Sequence, residues 1–353
     1  MMEPDFQPHP LLRNRHAMTI VNNFLWRRFP VLDQAPCESR MIEVGEESKV
    51  LIQCHWQKDR SNHPTALLVH GLEGSADRAY SKGTGEKAWQ AGFNVVRMNV
   101  RNCGDTEHLS TTLYDMGLSR DLGTVGMILD AELGHPVPGI FLIGFSMGGN
   151  QALKYAGEMG EQAPSWLKGL VAVSPPIELA PCADSIHQGF NRIYEKRFLF
   201  SLLRRIRRKN RLFPGRFDLS KIHTIQSLRN YDDIFVGPYQ GYGTADQYYF
   251  KASAMRVMDR IRVPTLIVQA KDDPLVPVDF LRQPCVKDNP FIQILLAARG
   301  GHVGFVEGGG PRPEHRRNED RFWAENRAVE FCRTVADSPQ PHASARIEEQ
   351  ISR

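Results

Sequence analysis

Three residues of this 353-residue chain have the types and the order needed for nucleophilic acyl chemistry: Ser146, Asp273 and His302. Ser146 lies in Gly144-Phe145-Ser146-Met147-Gly148, between the apolar run Gly139–Ile143 and a helical pattern from Gly149. A serine hydroxyl is a weak nucleophile at neutral pH and needs a base, which an imidazole supplies. The imidazole needs an acid behind it to fix its tautomer and stabilise its cation. Glycines two positions either side of the serine let a strand and a helix pass close together at a sharp, strained turn. The helix then points its positive end at the reacting centre. Taken alone, the five residues also fit a tight strand-to-helix connection without chemistry. The partners decide: Asp273 and His302 each follow a predicted strand, 264–270 and 291–296, in the chain order serine, acid, histidine. Asp272 is the alternative acid. No other histidine follows the last strand as His302 does.

A fourth stretch completes the chemistry. The predicted strand Thr65–Val69 runs into His70-Gly71-Leu72-Glu73-Gly74. Gly71 lets the chain turn so that the Leu72 N–H faces the nucleophile, and the Met147 N–H is the second oxyanion donor. One such donor supplies roughly 2.7–4 kcal/mol of transition-state stabilisation. His70 reads as a residue hydrogen-bonded within its loop, not as the base.

These loops must be positioned by elements, and the chain alternates strands with helices. Predicted strands at 41–44 and 50–56 form a hairpin. Strands at 65–69, 94–100, 139–143, 169–173, 264–270 and 291–296 are separated by predicted helices at 80–90, 118–133 and after Ser146, with a last helix at 319–335. This is an α/β pattern, a mostly parallel central sheet with helices on both faces. Loops at the carboxyl edge of such a sheet converge on one crevice. The boundaries are an N-terminal arm at 1–36, a core at 37–174 and 263–337, a helical cap at 175–262 where the βα rhythm stops, and a disordered tail at 338–353. Within the cap, Leu199, Leu202, Leu203 and Ile206 share a helical face, with Arg204, Arg205, Arg207, Arg208 and Lys209 around it. That basic run is either a solvated face or a weak contact for a membrane surface or acidic substrate.

Composition excludes little but points one way. The chain is 41% hydrophobic and 24% charged with net charge +4, an ordinary soluble balance. Six cysteines without a C-x-x-C read as reduced thiols of a cytoplasmic protein. Prolines 4, 8 and 10 break any leader-like apolar stretch. No nucleotide, metal or nucleic-acid motif is apparent, so no cofactor is expected.

Together, His70–Gly74, Gly144–Asn150, Asp273-Pro274 and Gly301–Phe305 resemble the YheT-type branch of the α/β-hydrolase superfamily, which includes fungal ethyl ester synthase/esterases and animal ABHD proteins. Asn14–Ile20 is similar to the branch's N-terminal motif and Ala245–Ser253 to its cap motif. The resemblance runs from about residue 6 to 335. It implies the α/β-hydrolase fold and a serine esterase acting on acyl esters, with Ser146, Asp273 and His302 as triad. Asp273 is preferred over Asp272 because D-x-x-x-P after the strand is the placement seen in hydrolases this stretch resembles. Two departures stand out: Arg101-Asn102-Cys103-Gly104-Asp105 replaces the commoner R-G-C-S-G loop, and the membrane anchor of the animal relatives is not seen. The expected activity is hydrolysis of small-molecule esters of short to medium acyl chain. An acyltransferase using the same triad and a binding protein without turnover are the alternatives.

Overall fold

The computed structural model describes residues 4–22, 24–134, 138–309, 316 and 319–338. Its strands, and its helices of eight residues or more, run in the order α1 (Arg15–Asn22), β1 (Glu38–Gly45), β2 (Ser48–His55), β3 (Thr65–Val69), α2 (Ala79–Gln90), β4 (Asn94–Asn99), α3 (Arg120–Leu133), β5 (Ile140–Phe145), α4 (Met147–Met159), β6 (Leu167–Val173), α5 (Leu179–Ile186), α6 (Arg192–Leu212), α7 (Ala245–Ala252), β7 (Thr265–Ala270), β8 (Ile292–Ala297) and α8 (Trp323–Asp337). The eight strands form one sheet in the order β1-β2-β4-β3-β5-β6-β7-β8. The β1–β2 and β2–β4 pairs are antiparallel and the rest are parallel. The sheet is therefore α/β and mostly parallel, as its sequence pattern predicts.

Strands β3, β4, β5 and β7 are buried along their whole length. A strand covered on both faces loses the alternation of an amphipathic strand and reads as a continuous apolar run. The two faces are visible in β3 and β5. Leu67, Val69 and Leu142 join a core with Leu122 and Val125 of α3 and Leu153 of α4. Ala66, Leu68, Phe141 and Ile143 join a second core with Ala88 of α2 and Trp323 and Ala328 of α8. Each fully buried Leu or Ile side chain contributes about 1.5–3 kcal/mol relative to exposure.

The register decides where the chemistry goes. Val69 pairs with Gly144, Gly144 with Ala172, Val173 with Val268, and Ala270 with Ala297. The carboxyl ends of β3, β5, β6, β7 and β8 are thus level along one edge. The chain winds outward from β3 to β4 on one side and resumes at β5 on the other, so the crevice opens between the β3 and β5 ends. The last helix starts at Trp323, four residues later than its pattern predicts. The Asp320 carboxylate accepts the Phe322 N–H at 3.0 Å and holds that stretch as a turn. Residues 339–353, most of the tail expected to be disordered, lie outside the described residues.

The stretch between β6 and β7 is helical and carries α5, α6 and α7. The basic run on α6 differs from its sequence reading as a solvated or lipid-facing surface. Arg204 and Arg207 are exposed, but Arg205 is largely buried and pairs with Glu73 at 3.0 Å. Lys209 is fully buried. Its ammonium donates to Asn102 Oδ1 at 2.6 Å and to the Ser110 carbonyl at 2.5 Å. Periodicity counted these charges as outward because their partners lie about a hundred residues away in sequence. The unusual Asn102 of the 101–105 loop is thereby explained as an acceptor for Lys209, in a left-handed backbone conformation that asparagine tolerates.

Burial lowers the Lys209 pKa from 10.5 to about 7. Between those values the unfolded chain holds a proton that the folded chain has released, so stability from this group rises with pH across the window and is lost as pH falls toward 7. Urea denaturation at pH 7 and pH 9.5 is expected to show wild type gaining on Lys209→Met by up to about 1.4 kcal/mol per pH unit. A pH-independent difference between the two proteins contradicts this.

Candidate active site

Ser146 ends β5 and opens α4. Its backbone sits at φ 51° and ψ −117°, a strained conformation for a residue with a Cβ. The conformation is locked by the Ser146 N–H, which donates to the Val173 carbonyl at 2.8 Å. The flanking glycines are required by close approach. A Cβ on Gly144 would stand 2.3 Å from the Gly148 carbonyl oxygen, and one on Gly148 would stand 2.4 Å from that of Val69. Any side chain there would force β3, β5 and α4 apart.

His302 faces Ser146, with Nε2 at 2.9 Å from the serine Oγ. Its Nδ1 is 2.9 Å from Asp273 Oδ2. Of the two neutral tautomers, the one that satisfies both contacts has Nδ1–H donating to the carboxylate and Nε2 accepting a hydrogen bond from the serine hydroxyl. Asp273 is itself fixed, because its Oδ1 accepts the N–H groups of Leu275 at 2.8 Å and Val276 at 3.0 Å. Its side chain is fully buried. The adjacent acid is placed elsewhere: Asp272 Oδ1 accepts the Gly301 N–H at 3.0 Å and touches the histidine loop through its backbone.

The loop after β3 lies against the serine. Gly71 passes so near that a Cβ would be 3.0 Å from Ser146 Cβ. Among the described residues, neither the Leu72 nor the Met147 N–H makes a hydrogen bond within the protein. His70 is buried, donates from Nδ1 to the Gly71 carbonyl at 2.7 Å and accepts the Val100 N–H on Nε2 at 3.2 Å. With both nitrogens occupied and its pKa lowered by burial to about 4, it is a neutral structural group. Glu73 of the same loop is clasped from α6 by Arg205 and by the Ser201 hydroxyl, so the inserted helices hold the loop that carries Leu72.

Sequence reasoning missed the support of the histidine loop. The His302 N–H donates to Thr19 Oγ1 at 2.8 Å, and Asn22 Nδ2 donates to the Val303 carbonyl at 2.9 Å. Val303 has φ 56°, an outlier for a β-branched residue, and its N–H is held by Ser174 Oγ at 3.1 Å. The N-terminal segment therefore reaches the site through α1. The signal that pointed there was the Asn14–Ile20 motif, whose purpose the sequence did not reveal. Thr19→Val leaves the His302 N–H without a partner and is expected to lower kcat about tenfold with KM nearly unchanged, while Thr19→Ser restores it. Steady-state kinetics on p-nitrophenyl acetate reads the split. A change confined to KM, or no rescue by serine, contradicts a positioning role.

Beside Ser146 lies a cavity of about 80 Å³ with a mainly apolar lining that includes Leu72, Leu179, Ile186, Phe198 and Val276. Its roof comes from α5, α6 and α7. Asn150 of α4 ties that roof to the core: its amide donates to the Met116 and Ala252 carbonyls, and its oxygen accepts the Ala254 N–H. A larger open groove of about 830 Å³ lies between residues 25–29 and α8, and none of Ser146, Asp273 and His302 lines it.

A serine on a strained elbow, a histidine and a buried acid meeting from three loops at the carboxyl edge of a parallel sheet define the α/β-hydrolase class. The chain belongs to the α/β-hydrolase fold family, whose description matches residues 64–309. It is similar to the YheT protein of Escherichia coli (strain K12), with 30% identity over 277 residues covering 78% of each chain. It is also similar to the phospholipase ABHD3 of Homo sapiens, 29% identical over 255 residues, 72% of this chain and 61% of that one. The resemblance to the YheT-type branch thus holds. Among solved structures, the Pyrococcus furiosus esterase Pf2001 superposes with TM-score 0.56 at 17% identity, over 95% of this chain and 100% of that one, which supports the fold. Among the described residues, no helix is long and apolar enough to cross a membrane.

Proposed function

We propose that the protein is a serine esterase that cleaves small carboxylic esters of short to medium acyl chain through an acyl-enzyme. The observation that carries this is the unbroken chain of contacts from Ser146 Oγ through His302 to Asp273, at 2.9 Å each. In the reaction, Ser146 attacks the ester carbonyl as His302 Nε2 takes its proton. The N–H groups of Leu72 and Met147, without another partner among the described residues, receive the developing oxyanion. His302 then protonates the leaving alcohol. Water, activated by the same imidazole, releases the acid. Asp273 holds the ring in the required tautomer throughout. The naming of relatives as hydrolases of esters and phospholipids supports an ester substrate. The small, mainly apolar cavity supports a short to medium chain.

The same reading divides the chain into a core of residues 37–174 and 263–337, a cap of 175–262 that roofs the pocket, and an arm of 1–36. It is tested by hydrolysis of p-nitrophenyl esters from acetate to palmitate. An optimum at the short to medium end supports it. Turnover of none of the series by folded protein overturns it and favours the binding-protein alternative. Product partitioning toward a new ester when an alcohol is added would instead favour acyl transfer.

A further inference from the structure

The cavity beside Ser146 has one carboxyl in its lining, Asp232, and nothing in the esterase chemistry uses it. It is 4% exposed, and its two oxygens accept the hydroxyls of Tyr114 at 3.0 Å and Tyr249 at 2.7 Å. Both tyrosines also line the cavity and are buried. The three come from separate places: the loop before α3, the stretch after α6, and α7. Asp232 opens a π-helical turn, Asp232–Val236, a backbone form that is rare and frequent at functional sites.

A buried acid held by two phenols is an expensive way to fill an apolar wall. Apolar side chains of the same volume would pack there without the desolvation penalty. The arrangement also leaves hydrogen-bonding capacity on a residue of the cavity lining, since a carboxylate has about four acceptor positions and each tyrosine fills one. The remaining positions suit a donor. Arg229, which pairs with Asp184 and Asp246, already places a guanidinium 5.2 Å from the Tyr249 ring. Burial raises the Asp232 pKa to about 7, in keeping with a site that meets a neutral group. An uncharged hydroxyl fits.

We propose that Asp232, with Tyr114 and Tyr249, forms a hydroxyl-recognition subsite, so that the substrate is an ester carrying a free hydroxyl on its acyl or its alcohol part. The assignment rests on the esterase reading of the same cavity. An ester that offers only methylene groups leaves the acceptors without a donor, and a site built around polar groups rejects such an analogue strongly.

The test uses two matched series, with hydrolysis followed by pH-stat. One compares methyl esters of ω-hydroxy acids of four to eight carbons with their methyl-terminated isosteres. The other compares monoacetates of α,ω-diols of three to six carbons with n-alkyl acetates. Wild type is expected to prefer the hydroxylated member by about 10- to 100-fold in kcat/KM in one series, which also locates the hydroxyl on acyl or alcohol. Asp232→Asn and Tyr249→Phe are expected to bring that ratio toward one. The tyrosine variant carries the test if the asparagine variant does not fold. Ratios near one in both series, or a ratio unchanged in a folded variant, overturn the subsite while leaving the esterase reading intact. Hydrolysis of neither series, or hydrolysis that survives Ser146→Ala, defeats the esterase reading instead. Titration calorimetry of the Ser146→Ala protein with the same pairs then reads the subsite without turnover, and equal or absent binding of both members overturns it.

Discussion

Ser146→Ala lowers turnover of p-nitrophenyl butyrate by about 10⁴- to 10⁶-fold, to a residual rate near that of the site without a nucleophile. The magnitude follows from the role: the hydroxyl forms the covalent bond, and among the described residues no neighbouring group can replace it. His70 has both ring nitrogens engaged in its own loop. Among the cysteines, Cys182 also lines the cavity, but burial holds its thiol far toward the protonated form and His302 faces Ser146 instead. The fold should survive the exchange. Ser146 accepts no essential structural bond on its side chain, and its backbone lock to Val173 remains. Steady-state rates beside a thermal melt check both halves. Activity within tenfold of wild type in a folded variant contradicts the assignment.

Asp273→Asn is expected to cost about 10³- to 10⁴-fold in kcat, and the reason is the orientation of the amide. In the wild type Oδ1 accepts two backbone N–H groups, from Leu275 and Val276, while Oδ2 faces the imidazole. An asparagine must put its oxygen against the two backbone donors, because its NH₂ cannot accept from them. The NH₂ then faces His302 Nδ1, and the ring has to accept there. Its proton moves to Nε2, toward Ser146, where it cannot take the serine proton. The variant therefore has an intact fold and the wrong tautomer. KM should change little and the loss should appear in kcat. Asp272→Asn, one residue away, should fall short of that loss by at least tenfold, since Asp272 meets the Gly301 N–H and not the ring. Equal losses at the two positions would contradict the account.

How much of this was legible in the sequence depends on the range of the contact. Ser146 announced itself through glycines four residues apart, because the sharp turn tolerates no Cβ at Gly144 or Gly148. Asp273 and His302 were legible from chain order and from the strands they follow. The level strand ends of the sheet convert that order into proximity. Continuous apolar runs located β3, β5 and β7 because both faces are covered. Thr19 was not legible. It meets His302 across 283 residues, and a threonine on a short helix carries no sign of what it faces. Arg205 and Lys209 were misread for the same reason. A helical wheel assigns charge to solvent, whereas Glu73 and Asn102 bring their compensating groups from the core. Nothing in its sequence neighbourhood singles out Asp232, and its two tyrosine partners show that it points inward. In this chain the groups to which the proposed reaction is assigned were readable locally. Those that support them, and those that line the pocket, depend on tertiary partners that spacing does not encode.

Covalent labelling reads whether Ser146 is an activated nucleophile. Native protein is incubated with a fluorophosphonate, which reacts with activated serines and needs no knowledge of the substrate. Intact mass and peptide mapping then locate the adduct. One adduct per chain is expected, on Ser146, with labelling absent in Ser146→Ala and strongly slowed in Asp273→Asn. Folded wild-type protein that takes up no label, or an adduct that persists in Ser146→Ala, would contradict it.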